Sequence, residues 1–184
     1  MNAGSPHLIG LTGYAQTGKD TVAVCLARHG YKRLAFADAL RDSLYELDPK
    51  VGVRFGDPIR LRRIVDATGW ENAKKLSEVR RLLQSLGDVL KQVGGQDILV
   101  KVVLDQIATG GQHVITDVRF PDEVAAIRSR GGEIWQIKRP GVGPVNEHIS
   151  ETALIGLEAD RIITNDGSLA EFGTAISVAL IRNR

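Results

Sequence analysis

The stretch from 7 to 30 leaves little choice of architecture: HLIGLT is followed by GYAQTGKDT and then by VAVCLARHG. An apolar run this short, ended by glycine, reads as a strand buried on both faces, the kind found in parallel sheets. Beyond the loop, Val22, Cys25, Leu26 and His29 fall at i, i+3, i+4 and i+7. That spacing predicts a helix with these four side chains inward and Gly30 closing its end. Between strand and helix, Gly13, four residues, Gly18 and Lys19 have a spacing that lets backbone N–H groups approach an anion. The helix N-terminus adds positive potential there, and the lysine reaches the same oxygens. Asp20 stands where a serine or threonine is usual, and Thr21 supplies a hydroxyl one residue later.

The rest of the chain alternates in the same manner. Residues 32–36 read as a second strand, with Asp38 placed to cap the helix ADALRDSLYEL. From about 38 to 110 the periodicity is helical with no convincing strand, in IRLRRIVDATG, SEVRRLLQSLGDVLKQV and QDILVKVVLDQIA. HVITD at 113–117 is a third strand, and a helix opened by Pro121 and closed by Gly131 and Gly132 carries Val124 and Ile127 inward. EIWQIK at 133–138 follows, and a right-handed crossover makes these two strands parallel. A Gly/Pro loop from 139 to 145 leads to a short helix near Ser150, then to RIIT at 161–164 and a last helix from about Ser168. The expected fold is α/β with three layers: a five-stranded parallel sheet, helices on both faces and a helical insert. One domain is expected, its core at about 6–37 and 111–184 and its insert at about 38–110.

Composition narrows the partners. With 43% hydrophobic and 25% charged residues over 184 positions, the chain is ordinary for a globular protein, and no run of 18 apolar residues is long enough for a membrane. MNAGSPH lacks the pattern of a secretion signal, and the single Cys25 suits a reducing cytoplasm. A net charge of +2 with 5% aromatics argues against nucleic acid as a partner. The charge is uneven, however: between Arg54 and Lys91 nine basic residues face five acidic ones. A local arginine excess suits a small phosphate-bearing ligand, although a solvated helical face explains any single arginine equally well. Ile98, Val102 and Ile107 offer apolar faces for a homodimer, with core packing the simpler account. Trp70 and Trp135 read as packing residues.

GYAQTGKDT, AFADALR, ITDVRFPDE, the HISE of 148–151 and ITNDGSL occur in this order along nearly the whole chain. Together they resemble the deoxynucleoside monophosphate kinase family known from bacteriophages, a branch of the P-loop kinases in which the GKDT form of the loop is usual. The resemblance implies the three-layer P-loop NTPase fold and transfer of the γ-phosphoryl group of ATP to a deoxynucleoside monophosphate, with Mg²⁺. Gly13, Ala15, Gln16, Thr17, Gly18, Lys19, Asp20 and Thr21 would then hold ATP, with Asn165 and Asp166 near its base. Asp117, with Asp20 and Thr21, would serve the metal. Arg119 and the lid residue Arg139 would join Lys19 in stabilising the transferred group.

For the acceptor the resemblance points to Asp38 and Arg41, where Ala39 and Arg41 replace the family's proline and lysine, and to Arg80, Arg81 and Gln84 on one helix. Glu123, His148 and Glu151 join that set, and so does Asp88, although Asp88, Lys91 and Ile98 stand where the family pattern has other residues, a departure that bears on base preference. Bland readings stand beside these: DVRFP and NDG are good turn chemistry, and Ser150 is a plausible helix cap. Dephospho-coenzyme A and phosphomevalonate kinases share the scaffold; the first would use Asp38 as general base toward a hydroxyl. A non-catalytic ATP-binding module is the remaining alternative.

Overall fold

A computed structural model of the chain describes residues 6–52, 56–107, 111–143 and 156–181. They divide into two compact units, one formed by Met1–Ala35 and Val103–Arg184 and the other by Phe36–Val102.

The first unit is built on five strands: β1 (Leu8–Thr12), β2 (Tyr31–Leu34), β5 (Gln112–Ile115), β6 (Glu133–Lys138) and β7 (Arg161–Thr164). They form one parallel sheet in the order β2-β5-β1-β6-β7. All five residues of β1 are buried, as its apolar run demands. Both sheet faces are covered. Helix α1 (Lys19–Ala27) buries Val22, Ala23 and Leu26, and the last helix, α7 (Leu169–Ile181), buries Phe172, Ile176 and Leu180. These six join Leu11, Trp135, Ile137 and Ile163 in a single core. On the opposite face α6 (Pro121–Ser129) buries Val124 and Ile127. Gly10 makes that packing possible, because a Cβ there would lie 2.7 Å from Ile127 Cδ1 and 3.0 Å from Ile134 Cδ1.

The second unit holds α2 (Phe36–Leu47), β3 (Lys50–Val51), β4 (Ile59–Arg60), α3 (Leu61–Ala73) and α4 (Ser77–Gly94). Helix α5 (Ile98–Asp105) runs across the boundary in sequence. Leu44, Val51, Leu61, Ala73 and Val79 form the buried centre of the second unit, with Trp70 and Leu83 packed against it. Gly69, at φ 75° and ψ 162°, breaks α3 before its last turn. No described helix is long and apolar enough to cross a membrane.

The fivefold parallel sheet, with β6 and β7 at their predicted limits, agrees with the sequence reading. Four details differ. Helix α1 ends at Ala27, so His29 falls past it and is exposed, while Ala23 takes the inward place. Helix α2 starts at the buried Phe36, so β2 ends at Leu34 and not at 36, and Asp38 lies in the first turn of the helix and not at its cap. Strand β5 stops at Ile115, so Asp117 lies two residues beyond it. Finally, β3 and β4 pair antiparallel within the stretch expected to hold only helices. Two residues each are too few to leave an alternating pattern, and the pair is held by tertiary bonds, with Gly52 N donating to Glu78 Oε2 at 2.5 Å and Leu61 N to the Pro49 carbonyl at 2.9 Å. The short helix expected near Ser150, with His148 and Glu151, lies outside the described residues.

Candidate active site

Strand β1 delivers the chain to the carboxyl edge of the sheet between β5 and β6. In open parallel sheets this is where ligands bind. The loop that leaves it turns hard against the neighbouring strand: Gly13 has φ 139°, and a Cβ there would lie 2.3 Å from the Ile137 carbonyl oxygen. No other residue fits that position. Inside the loop, Thr17 is almost wholly buried and its hydroxyl donates to the Tyr14 carbonyl at 2.9 Å. Gly18, at φ 108°, precedes α1, and no side chain caps the helix there. First-turn amides without a side-chain cap suit an anion. Lys19 Nζ donates to the carbonyls of Gly13 and Tyr14 at 2.6 and 2.7 Å, so the ammonium curls over the loop. Asp20 is an exposed first-turn carboxylate and Thr21 is half-buried.

The second wall follows β5. Val118 N donates to the Leu11 carbonyl at 3.2 Å, which ties the turn to β1. Glu123, on the first turn of α6, is buried, and its Oε2 accepts from Arg119 N at 2.6 Å and Phe120 N at 3.0 Å. Burial pushes the Glu123 carboxyl up to about 7, against the pull of those two amides, and the neighbouring charges of Asp117 and Asp122 push the same way as burial. The glutamate is thus a clasp on the backbone that carries Arg119.

The third wall comes from β6, β7 and the turn into α7. Arg139 extends Nη1 to 3.5 Å from the Gln16 carbonyl, a long contact across the loop. Asn165 N donates to the Lys138 carbonyl at 2.7 Å, while Asn165 Nδ2 donates to the Thr17 carbonyl at 3.0 Å. Asp166 is exposed. Ser168 and Glu171 close the turn as a reciprocal cap of α7: Ser168 N donates to Glu171 Oε2 at 2.7 Å and Glu171 N to Ser168 Oγ at 3.3 Å.

These walls enclose a cavity of about 520 Å³. Four cationic residues, Lys19, Arg119, Lys138 and Arg139, line it, and no carboxylate does among the described residues. Of the residues expected to bind ATP, Gly13, Ala15, Thr17 and Lys19 line the cavity, whereas Gln16, Gly18, Asp20, Thr21, Asn165 and Asp166 stand outside its lining, as does Asp117. Lys138, Gln136, Thr12 and Thr164 line it without having been singled out from sequence. Their signal was available only in part: Gln136 and Lys138 alternate with buried Ile137 on β6, but which strands flank them is not local information.

In the second unit, Arg41 Nη1 lies 3.0 Å from Asp38 Oδ1, and its Nη2 lies 3.9 Å from Glu71 Oε1. Lys74 Nζ reaches Glu71 at 2.8 Å, and that hydrogen bond holds the Glu71 carboxyl below its usual range. Glu71 and Lys74 had not been picked out. On α4, Arg80 donates from Nε to the Lys74 carbonyl at 2.9 Å and Arg81 lies 3.5 Å from Glu78, while Gln84 and Asp88 are exposed. No cluster of three or more histidine, cysteine or acidic side chains able to hold a metal exists among the described residues. Mg²⁺ needs no such cluster, because it keeps several waters and takes phosphate oxygens with one or two carboxylates.

The family model for deoxynucleotide monophosphate kinase matches residues 57–176, a span that includes Arg119, Arg139 and Asn165 but not the glycine loop. The deoxynucleotide monophosphate kinase of Escherichia phage RB69 is 34% identical over 108 residues, covering 55% of this chain and 44% of that protein. That of Enterobacteria phage T4 is 30% identical over 143 residues, covering 74% of this chain and 57% of that protein. The chain therefore spans about half the length of these curated relatives. Among solved structures, dephospho-CoA kinase from Campylobacter jejuni is similar with a TM-score of 0.43 at 17% identity, covering 94% of each chain.

Proposed function

Because the chain belongs to the deoxynucleotide monophosphate kinase family, we propose that it transfers the γ-phosphoryl group of ATP to a deoxynucleoside monophosphate, releasing ADP and the deoxynucleoside diphosphate. The observation that carries this reading is the cavity at the mouth of the glycine loop, with four cations and no carboxylate in its described lining. Such a site suits a polyanion whose charge is spread over several oxygens.

Phosphoryl transfer asks little covalent chemistry of a protein; it asks for alignment and for positive charge around the equatorial oxygens. The amides of the loop from Gly13 to Gly18 hold the triphosphate, and Lys19 exchanges its carbonyl partners for phosphate oxygens. Arg119, kept in place through its backbone by Glu123, and Arg139, from the loop after β6, bring guanidinium groups to the γ-phosphate. Asp20, Thr21 and Asp117, which stand outside the lining of the cavity, are the oxygen donors that we assign to Mg²⁺, which would supply further positive charge to the phosphates. A phosphate acceptor is largely dianionic near neutral pH, so no general base is needed. Asp38 and Arg41, with Arg80, Arg81, Gln84 and Asp88 of α4, are the residues that we assign to the acceptor; the joined Asp38–Arg41 pair supports this division.

The test is ATP-dependent diphosphate formation from a panel of deoxy and ribo monophosphates, with Lys19→Ala as the blank. Turnover with deoxynucleoside monophosphates is the expected result. Turnover only with a non-nucleotide alcohol, or ATP binding without turnover of any acceptor, would remove the reading.

A further inference from the structure

The turn after β7 was expected to meet the base of ATP, but its asparagine is occupied elsewhere. Asn165 Nδ2 donates to the Thr17 carbonyl at 3.0 Å, across 148 residues of sequence. The asparagine is itself held: its own N–H donates to the Lys138 carbonyl at 2.7 Å, directly past the point where Lys138 pairs with Thr164. The sheet edge, the turn and the loop are therefore joined through one residue.

The consequence for the loop follows from peptide geometry. In a trans peptide the C=O and the N–H of the same plane point in opposite directions. All described peptides are trans. With the Thr17 carbonyl drawn toward Asn165, the N–H of Gly18 must point the other way, and no described group accepts a hydrogen bond from it. Gly18 itself packs closely against the asparagine and the core. A Cβ on it would lie 2.8 Å from Asn165 Nδ2 and 3.1 Å from Phe172 Cε1, and Phe172 is buried in the core beneath α1 and α7. Thr17, on the near side of the same peptide, is buried and lines the cavity, and Lys19 on the far side lines it as well, so Gly18 lies between two lining residues although it is outside the lining itself.

We infer that Asn165 is a positioning residue of the phosphate subsite: its carboxamide fixes the peptide between Thr17 and Gly18 so that the Gly18 N–H is presented to a phosphate oxygen before any ligand arrives. Its amide nitrogen serves the loop, and the nucleobase is read by other groups. This inference rests on the ATP-binding reading above, and the two fail in different ways.

The experiment compares wild-type chain with Asn165→Ala and Asn165→Asp by titration calorimetry, using two probes in the presence of Mg²⁺: ATP and inorganic tripolyphosphate, which has the phosphates and no base. Asn165→Asp keeps the shape but sets a carboxylate against the Thr17 carbonyl, and Asn165→Ala serves if that variant folds poorly. The expected result is parallel loss: both probes weaken by about tenfold in Asn165→Ala and by more in Asn165→Asp. Acceptor KM stays at the wild-type value while ATP KM rises. Loss of ATP affinity with tripolyphosphate binding unchanged would assign Asn165 to the base and overturn the inference, as would unchanged binding of both probes. Wild-type chain that binds neither probe would overturn the kinase reading together with this one.

Discussion

The ammonium of Lys19 lies 2.6 Å from the carbonyl oxygen of Gly13, in the loop where that lysine begins its helix. A cation satisfied by backbone carbonyls is stored in the position from which it can be handed to phosphate, with little rearrangement at the moment of binding.

Replacing Lys19 by alanine removes a charge-assisted contact of about 1.5–3 kcal/mol, so ATP affinity should fall roughly 10- to 100-fold. Calorimetry reads the affinity, and diphosphate formation should drop below detection because the same charge is needed in the transition state. Retained turnover would exclude the loop as the donor site.

Gly10→Ala places a methyl group 2.7 Å from Ile127 Cδ1 and 3.0 Å from Val118 Cγ2. Overpacking of this kind costs about 1–3 kcal/mol. Urea denaturation should show a lower midpoint at an unchanged slope. An unaltered midpoint would mean that α6 moves away freely.

Glu123 has its folded-state pKa raised to about 7, with burial the main cause. Unfolded, a glutamate titrates near 4.3. Between about 4.3 and about 7 the folded chain binds more protons than the unfolded one, so this residue makes stability fall as pH rises through that window, by roughly 4 kcal/mol in total. Glu123→Gln keeps an oxygen for the amides of Arg119 and Phe120 but cannot titrate. Denaturation midpoints measured from pH 4.5 to 7.5 should lose that component of slope in the variant; an identical slope in both proteins would refute it.

His113 pulls the other way. It is buried on β5, its Nδ1 has no partner among the described residues, and burial, with Lys32 nearby, holds its pKa below the ordinary value of 6.5. As pH drops below 6.5 the unfolded chain takes up a proton that the folded chain refuses, so stability declines toward acid. His113→Phe should reduce this acid loss, read as the difference between denaturation midpoints at pH 5 and pH 7.5.

Much of the framework was written in local pattern. Strands β1, β6 and β7 are apolar runs bounded by glycine or turn residues, and α6 sits between Pro121 and Gly131, so short-range chemistry fixes their limits. Asp38 shows where such reading stops: it looks like a cap, yet burial of Phe36 starts the helix two residues earlier. The β3 and β4 pair escaped because its support comes from Glu78 and Pro49. At the site, the glycines and Lys19 announce themselves by spacing. The roles of Gly10, Asn165 and Lys138 depend on which strands lie side by side, and the order β2-β5-β1-β6-β7 has no signature in any single segment. Glu123 left a trace, as an acidic residue three positions after Phe120 at a helix start, but its two amide partners needed coordinates.

The central place of β1 has a temporal meaning as well. Its partners on either side begin at Gln112 and Glu133, so a ribosome releases this greasy strand about a hundred residues before either neighbour exists. Until then a bare strand waits with both edges open, and a nascent chain cut short before β6 should clump with its own kind instead of idling in solution.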